Sequence, residues 1–213
     1  MDMVVMSLTL ADIACAAGGV PVRAPPGTVL FRPDDACKGF IAVRSGCIRV
    51  GLSSASGREL VLYRVRPGEI CLQTFSCLSE GKAYAAEGVT EEAVEAFLLA
   101  PQTFDNLLRD DPRFLRLVMT SIAARFQDYE NVVETLAFTG LEVRLAAALL
   151  RLAGPHNVAH VTHEVLAAEI GSAREAVSRQ LGLFARNGIV SLARGQVEIV
   201  SRGALSRLTQ SGT

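Results

Sequence analysis

The 213-residue chain has no tryptophan, few aromatic residues and only three histidines, His156, His160 and His163, all after residue 155. Each scarcity excludes something. Half of the residues are hydrophobic, yet no stretch approaches the 18 or so uncharged apolar residues that a membrane-crossing helix needs. The start of the chain lacks a basic segment, apolar core and small-residue cleavage site, so a cytoplasmic protein with no membrane partner is expected. No Gly-x-Ser-x-Gly elbow, phosphate loop, His-Glu-x-x-His pair or Gly-x-Gly-x-x-Gly turn occurs, and residues 1–155 hold no histidine to act as a base, so no enzyme is expected. Haem usually takes a histidine that this part of the chain cannot supply. The five cysteines, Cys15, Cys37, Cys47, Cys71 and Cys77, match no zinc or iron-sulfur spacing, so neither metal nor cofactor is expected. In a cytoplasmic chain they are expected to be reduced, redox-sensing or metal-linked rather than structural disulfides.

What is present concentrates near the C-terminus. The segment Val161-Thr-His-Glu-Val-Leu-Ala-Ala-Glu-Ile-Gly171 places Val165, Leu166 and Ile170 on one face, then breaks at glycine. The chain restarts with Ser172-Ala-Arg-Glu-Ala-Val-Ser-Arg, where Ser172 can cap a helix and Glu175 can complete a capping box. Ala176, Val177, Leu181 and Phe184 then form an apolar face, opposite a polar face carrying Arg174, Glu175, Ser178 and Arg179. Arginine can donate two hydrogen bonds to guanine, glutamate can accept from cytosine, and serine can bond an edge or a phosphate. Asn187-Gly188 ends this helix, and two β-rich runs flank Ala193-Arg194-Gly195 as a ribbon with Arg194 at its tip, placed to meet a phosphate. His163 reads as an early residue of the first helix after the cap Thr162, and the three histidines as linker rather than a metal site. The formal charge of −1 divides unevenly, about −3 over residues 1–154 and +2 over residues 155–213, the sign a nucleic-acid-binding segment needs but weak in size.

Arg174-Glu-Ala-Val-Ser-Arg179, after Leu166-Ala-Ala-Glu-Ile-Gly171, resembles the recognition helix of the Crp-Fnr family of bacterial transcription regulators. The resemblance implies that Glu175, Ser178 and Arg179 read a TTGA-like half-site, with Arg174 adding a contact at a TGTGA-like one. It covers nearly the whole chain and implies an α+β protein in three parts. These are an N-terminal sensor β-roll over residues 1–111, similar to the cyclic-nucleotide-binding jelly roll, a dimerisation helix over 112–139, and a winged helix-turn-helix over 140–213. The residues agree. Short β-rich runs at 28–31, 39–43, 47–50, 59–63 and 94–98 are punctuated by glycine turns at Gly46 and Pro67-Gly68. From Pro112, Leu115, Val118, Ile122, Phe126, Tyr129, Val133 and Leu136 recur at heptad-like steps, a stripe suited to pairing with its own copy. Two-fold pairing predicts a palindromic double-stranded DNA operator, and such a regulator implies RNA polymerase as a further partner.

The effector is less legible. Cyclic-nucleotide binders of the family carry a glutamate for the ribose and an arginine for the cyclic phosphate after the Pro-Gly-Glu turn; here Gln73 and Tyr84-Ala-Ala86 stand instead. Thiol chemistry is the alternative, oxidation or persulfide formation at Cys71 and Cys77, with Cys37 a third candidate, against the reading that they are small buried hydrophobes. A small molecule or haem in the β-roll, or a constitutive dimer with no effector, also remains open.

Overall fold

Short alternating segments between obligatory glycine turns build the first half of the molecule, for which the computed structural model describes residues 8–54 and 59–210. Strands β1 (Val20–Ala24), β7 (Val94–Leu99) and β3 (Phe40–Ser45) form one antiparallel sheet in that order, with Val22 opposite Ala96 and Ile41 opposite Leu98. Strands β2 (Val29–Phe31), β6 (Glu87–Thr90), β4 (Ile48–Ser53) and β5 (Glu59–Val65) form the second. Gly46, between β3 and β4, has φ +83°, and a Cβ there would lie 2.2 Å from the Ala93 carbonyl oxygen, so the turn accepts only glycine. Phe31, Ile41, Val43, Ile48, Val50, Tyr63 and Val65 fill the roll. A second cluster stacks Phe40 on Phe104, centroids 4.7 Å apart, with Phe114 edge-on to both. Burying each of these rings stabilises the fold by about 1.5–3 kcal/mol.

Four helices complete this part. Helix α1 (Leu10–Ala16) is closed by a capping box between Thr9 and Asp12, whose carboxyl is held below its usual range by the Thr9 hydrogen bonds. Helix α2 (Leu72–Glu80) occupies the cassette after the Pro67-Gly68 turn, and α3 (Pro101–Asp110) starts on proline. Helix α4 (Pro112–Phe138) runs 27 residues, which at 1.5 Å each is about 40 Å.

The stripe on α4 is not uniform, and two of its expected interface residues need correction. Val118 is 1% exposed, in the cluster with Phe114, and Tyr129 packs edge-on against Tyr63 of β5, centroids 5.7 Å apart. Val118 belongs to the core of its own chain, and half-buried Tyr129 packs against that core. Leu115, Phe126, Val133 and Leu136 are exposed, Ile122 is half-buried, and Met119, which the heptad count omitted, is 59% exposed on the same face.

The C-terminal part is built from α5 (Leu141–Ala153), β8 (Val158–Ala159), α6 (His163–Glu169), α7 (Arg174–Arg186), β9 (Val190–Ala193), β10 (Gln196–Ile199) and α8 (Arg202–Gln210). Gly140 is the residue before α5. Leu145, Leu149, Leu166, Val177, Leu181, Phe184, Val197 and Leu205 form its core. By contact density the chain divides into two units, residues 1–52 with 62–129 and residues 53–61 with 130–213, so α4 is shared between them. Among the described residues no helix is long and apolar enough to cross a membrane.

Candidate nucleic-acid interface and sensor cassette

Two short helices with a glycine between them create the reading face. The Thr162 hydroxyl accepts from the Val165 amide at 3.2 Å and starts α6; Gly171, at φ +62°, ends it, and the Ser172 amide donates to the Ala167 carbonyl at 2.9 Å. That turn alters one expectation. The residue capping α7 is Ala173, in extended conformation with no side-chain cap, so the Ser172–Glu175 capping box does not form. Glu175 is left on the exposed face, in the first turn of α7, where a carboxylate suits the helix dipole.

Val177, Leu181 and Phe184 turn inward, while Arg174, Glu175 and Arg179 are exposed and Ser178 is half-buried. The four residues expected to read bases therefore share one outward-facing surface of α7. Arg194 and Gly195 form the tight turn of the β9–β10 hairpin, Ala193 paired with Gln196, which leaves the Arg194 side chain in solvent. The residue the sequence reading missed is His163: its Nδ1 lies 2.8 Å from the Ser178 hydroxyl. Only folding brings these side chains together, fifteen residues apart on two helices, and no local pattern marks the pair. Among the described residues no three His, Cys, Asp or Glu groups converge as a metal site.

In the sensor cassette the cysteines are sorted by burial. Cys71 is fully buried, and burial pushes its thiol up from the ordinary range, which disfavours the thiolate. Cys77 does not face Cys71 as a partner; it forms a disulfide with Cys37, at S–S 2.04 Å. This replaces the Cys71–Cys77 pairing considered from the cassette alone: the partner is Cys37, the third candidate, from the loop before β3, 40 residues away. Cys47 is buried, with its thiol pushed up to about 11 by burial and by Glu91; Cys15 is exposed.

The same cassette does not fit a cyclic nucleotide. Gln73 turns its side-chain oxygen onto the Ala85 amide at 2.9 Å, spending that acceptor within the chain. Tyr84, where the family's arginine would stand, is 4% exposed, packs in a tilted contact on the Phe31 ring and accepts at its hydroxyl from the Lys38 amide at 3.0 Å. Lys82 is paired with Glu80 at 2.7 Å in solvent. No guanidinium is offered to a phosphate by these residues.

A β-roll, a long helix and a winged helix-turn-helix with a charged outward face together define a DNA-binding transcriptional regulator. Residues 21–111 match the cyclic nucleotide-binding domain and residues 143–208 the Crp-like helix-turn-helix domain. The chain is 30% identical over 186 residues to the cyclic AMP receptor protein of Thermus thermophilus, covering 86% of this chain and 85% of that one. It is similar to a crystal structure assigned to the crp/fnr regulators of Eubacterium rectale, with TM-score 0.83, 25% identity and 95% of each chain covered. The crystal structure of a CRP/FNR-family regulator, also from Thermus thermophilus, aligns with TM-score 0.72 and 25% identity, over 91% of this chain and all of that one. The chain belongs to the Crp-Fnr family of bacterial transcription regulators.

Proposed function

We propose that the protein is a homodimeric, operator-specific regulator whose sensor unit is switched by thiol–disulfide exchange at Cys37–Cys77. The observation that carries the DNA reading is the outward face of α7, with Arg174, Glu175 and Arg179 in solvent and Ser178 beside them. These groups suit the edges of a TTGA-like or TGTGA-like half-site. The nearly neutral C-terminal part supports dependence on symmetry: sequence-independent attraction is weak, so two half-sites must be engaged together. The exposed face of α4, with Leu115, Met119, Ile122, Phe126, Val133 and Leu136, is the surface offered to the second copy. RNA polymerase is the partner through which such a dimer acts on transcription in the cytoplasm.

The thiol reading rests on the disulfide and its surroundings. Cys37 and Cys77 line a surface depression of about 500 Å³ together with Asp34, Lys82 and Pro101. Cys77 is 2% exposed and Cys37 more accessible, so an incoming thiolate attacks Cys37 Sγ and Cys77 leaves as thiolate. The second thiol of the dithiol reductant then resolves the mixed disulfide. Two cysteine thiols form and the dithiol becomes a disulfide, while a disulfide oxidant reverses the exchange. Cys77 sits in α2, whose Gln73 amide donates to the Tyr63 hydroxyl at 3.3 Å, and Tyr63 packs on Tyr129 and under Arg125 of α4. A change at the disulfide thus has a packed route to the dimer helix and a means of shifting the recognition helices between spacings.

The test is operator affinity of the full chain, oxidised and after a dithiol, with intact mass measured on the same samples. A change in affinity that tracks a gain of two hydrogens, and that Cys37→Ser abolishes while Cys71→Ser preserves it, supports the reading. Affinity indifferent to the bond refutes the thiol switch and leaves a small-molecule effector or a constitutive dimer.

A further inference from the structure

We propose that His163 is a positioning residue for DNA specificity: its imidazole fixes the Ser178 hydroxyl and thereby sets the hydrogen-bonding character that Ser178 presents to a base. The inference rests on α7 being the base-reading helix. A serine hydroxyl normally rotates and offers its proton or its lone pairs as the partner requires. At 2.8 Å from His163 Nδ1 that freedom is gone. If Nδ1 accepts, the Ser178 proton is spent and only lone pairs face outward, suited to an amino group of adenine or cytosine. If Nδ1 carries the proton and donates, the hydroxyl keeps its own for an acceptor such as thymine O4. A group on the neighbouring helix therefore selects the base edge, without touching it.

The surroundings fit this role better than that of a brace. The two helices are already joined by Leu166, Ile170, Val177 and Leu181, all buried in one core, so the half-buried bond adds little to their packing. The imidazole lines an open groove of about 530 Å³ with Thr162, Glu164, Arg174 and the wing residue Arg194. Two of those residues are among the groups expected on DNA.

The experiment selects operators from a library randomised at one half-site. It uses the full-length protein and the variants His163→Ala, His163→Asn, His163→Gln, Ser178→Ala and the His163→Ala/Ser178→Ala double variant, each checked by thermal melting. Asparagine can place a polar atom where Nδ1 stands; glutamine places one nearer Nε2. The expected result is a loss of roughly two- to tenfold in discrimination at one base-pair position for His163→Ala, the size of a single net hydrogen bond. Preferences at the other positions should stand. Asparagine should restore discrimination, glutamine should not, and the alanine effect should vanish in the Ser178→Ala background. A loss spread evenly over all positions, or one that persists without Ser178, overturns the proposal. If Ser178→Ala changes the selected base and His163→Ala does not, the proposal fails; if Ser178→Ala changes nothing, Ser178 is not a reading residue and the proposal fails again, while α7 as the reading helix stands or falls with Arg179→Ala.

Discussion

Replacing Arg125 with alanine should destabilise the sensor unit by about 3 kcal/mol, the sum of a strong hydrogen bond and weaker contacts. Arg125 is the one buried charged residue among those described, 6% exposed on α4. Its guanidinium donates to the Arg64 carbonyl at 2.7 Å, pairs with Glu69 at 3.0 Å and Asp128 at 2.9 Å, and lies 5.5 Å from the centroid of the Tyr63 ring. A hydrogen bond from a charged donor to a part-buried carbonyl contributes about 1.5–3 kcal/mol. The carboxylates are 34% and 41% exposed, so solvent screens both pairs and each adds under about 1 kcal/mol. Contact with the ring adds about 0.5–1 kcal/mol. For a chain of this size, such a loss lowers the melting temperature by about 6–12 °C, measurable by calorimetry or by urea unfolding of the purified protein. Lysine, a compact point charge without the planar fork of a guanidinium, should not span all three partners and should fall between. A loss below about 1 kcal/mol for the alanine variant would show that the cluster is already compensated by water and does not hold α4 against β5.

Arg179→Ala should cost about 1–3 kcal/mol of operator binding and little of random-sequence binding, compared by gel shift at fixed salt; equal losses on both would remove Arg179 from the reading face. Phe126→Asp, at a 63% exposed position, should leave the fold intact, yield monomer on light scattering and weaken operator binding at least tenfold; a stable dimer would move the interface off α4. Cys47 keeps its proton up to about pH 11 in the native state but releases it from the ordinary thiol value of 9.0 once unfolded. Stability should therefore fall as pH rises from about 9 to 11, and Cys47→Ala should flatten part of that slope in chemical unfolding measured across the range. Reducing the Cys37–Cys77 bond frees a 40-residue loop in the unfolded chain and should lower stability by about 4 kcal/mol on the chain-entropy estimate, read by unfolding with and without a dithiol.

The helix-turn-helix was legible because its signals are local. Thr162, Gly171 and Asn187-Gly188 mark boundaries within a few residues, and the apolar spacing of α7 fixes its buried face. Ser172 misled because one residue decides a cap, and the chain bonds the Ser172 amide back to Ala167 instead. Strand β1 escaped notice because its burial does not alternate and it contains Pro21, tolerable where it pairs only with β7. Strand β6 has no apolar run and needs Gly88, where a Cβ would meet the Phe31 ring at 2.3 Å; sheet pairing alone makes it a strand. The heptad stripe could not say which residues face a partner, since Val118 and Tyr129 are claimed by the chain's own core while Met119 is left outside.

The least legible feature was how the cysteines pair, and the structure sorts them by geometry. Proximity in sequence favours Cys71 with Cys77, yet Cys71 points into the core beside Tyr63, where the thiolate is disfavoured. Cys37 lies in a loop already held by three hydrogen bonds to Tyr84: the Asp34 and Lys38 amides donate to its carbonyl and hydroxyl, and the Tyr84 amide donates to Asp35. Those bonds do not depend on the sulfur. Breaking the disulfide should then loosen α2 against a loop that stays in place, rather than unfold the loop. On the proposed thiol switch the perturbation falls on α2, which bears on Tyr63 and through it on α4, so the oxidised state would be the more tightly packed one and reduction the step that loosens it.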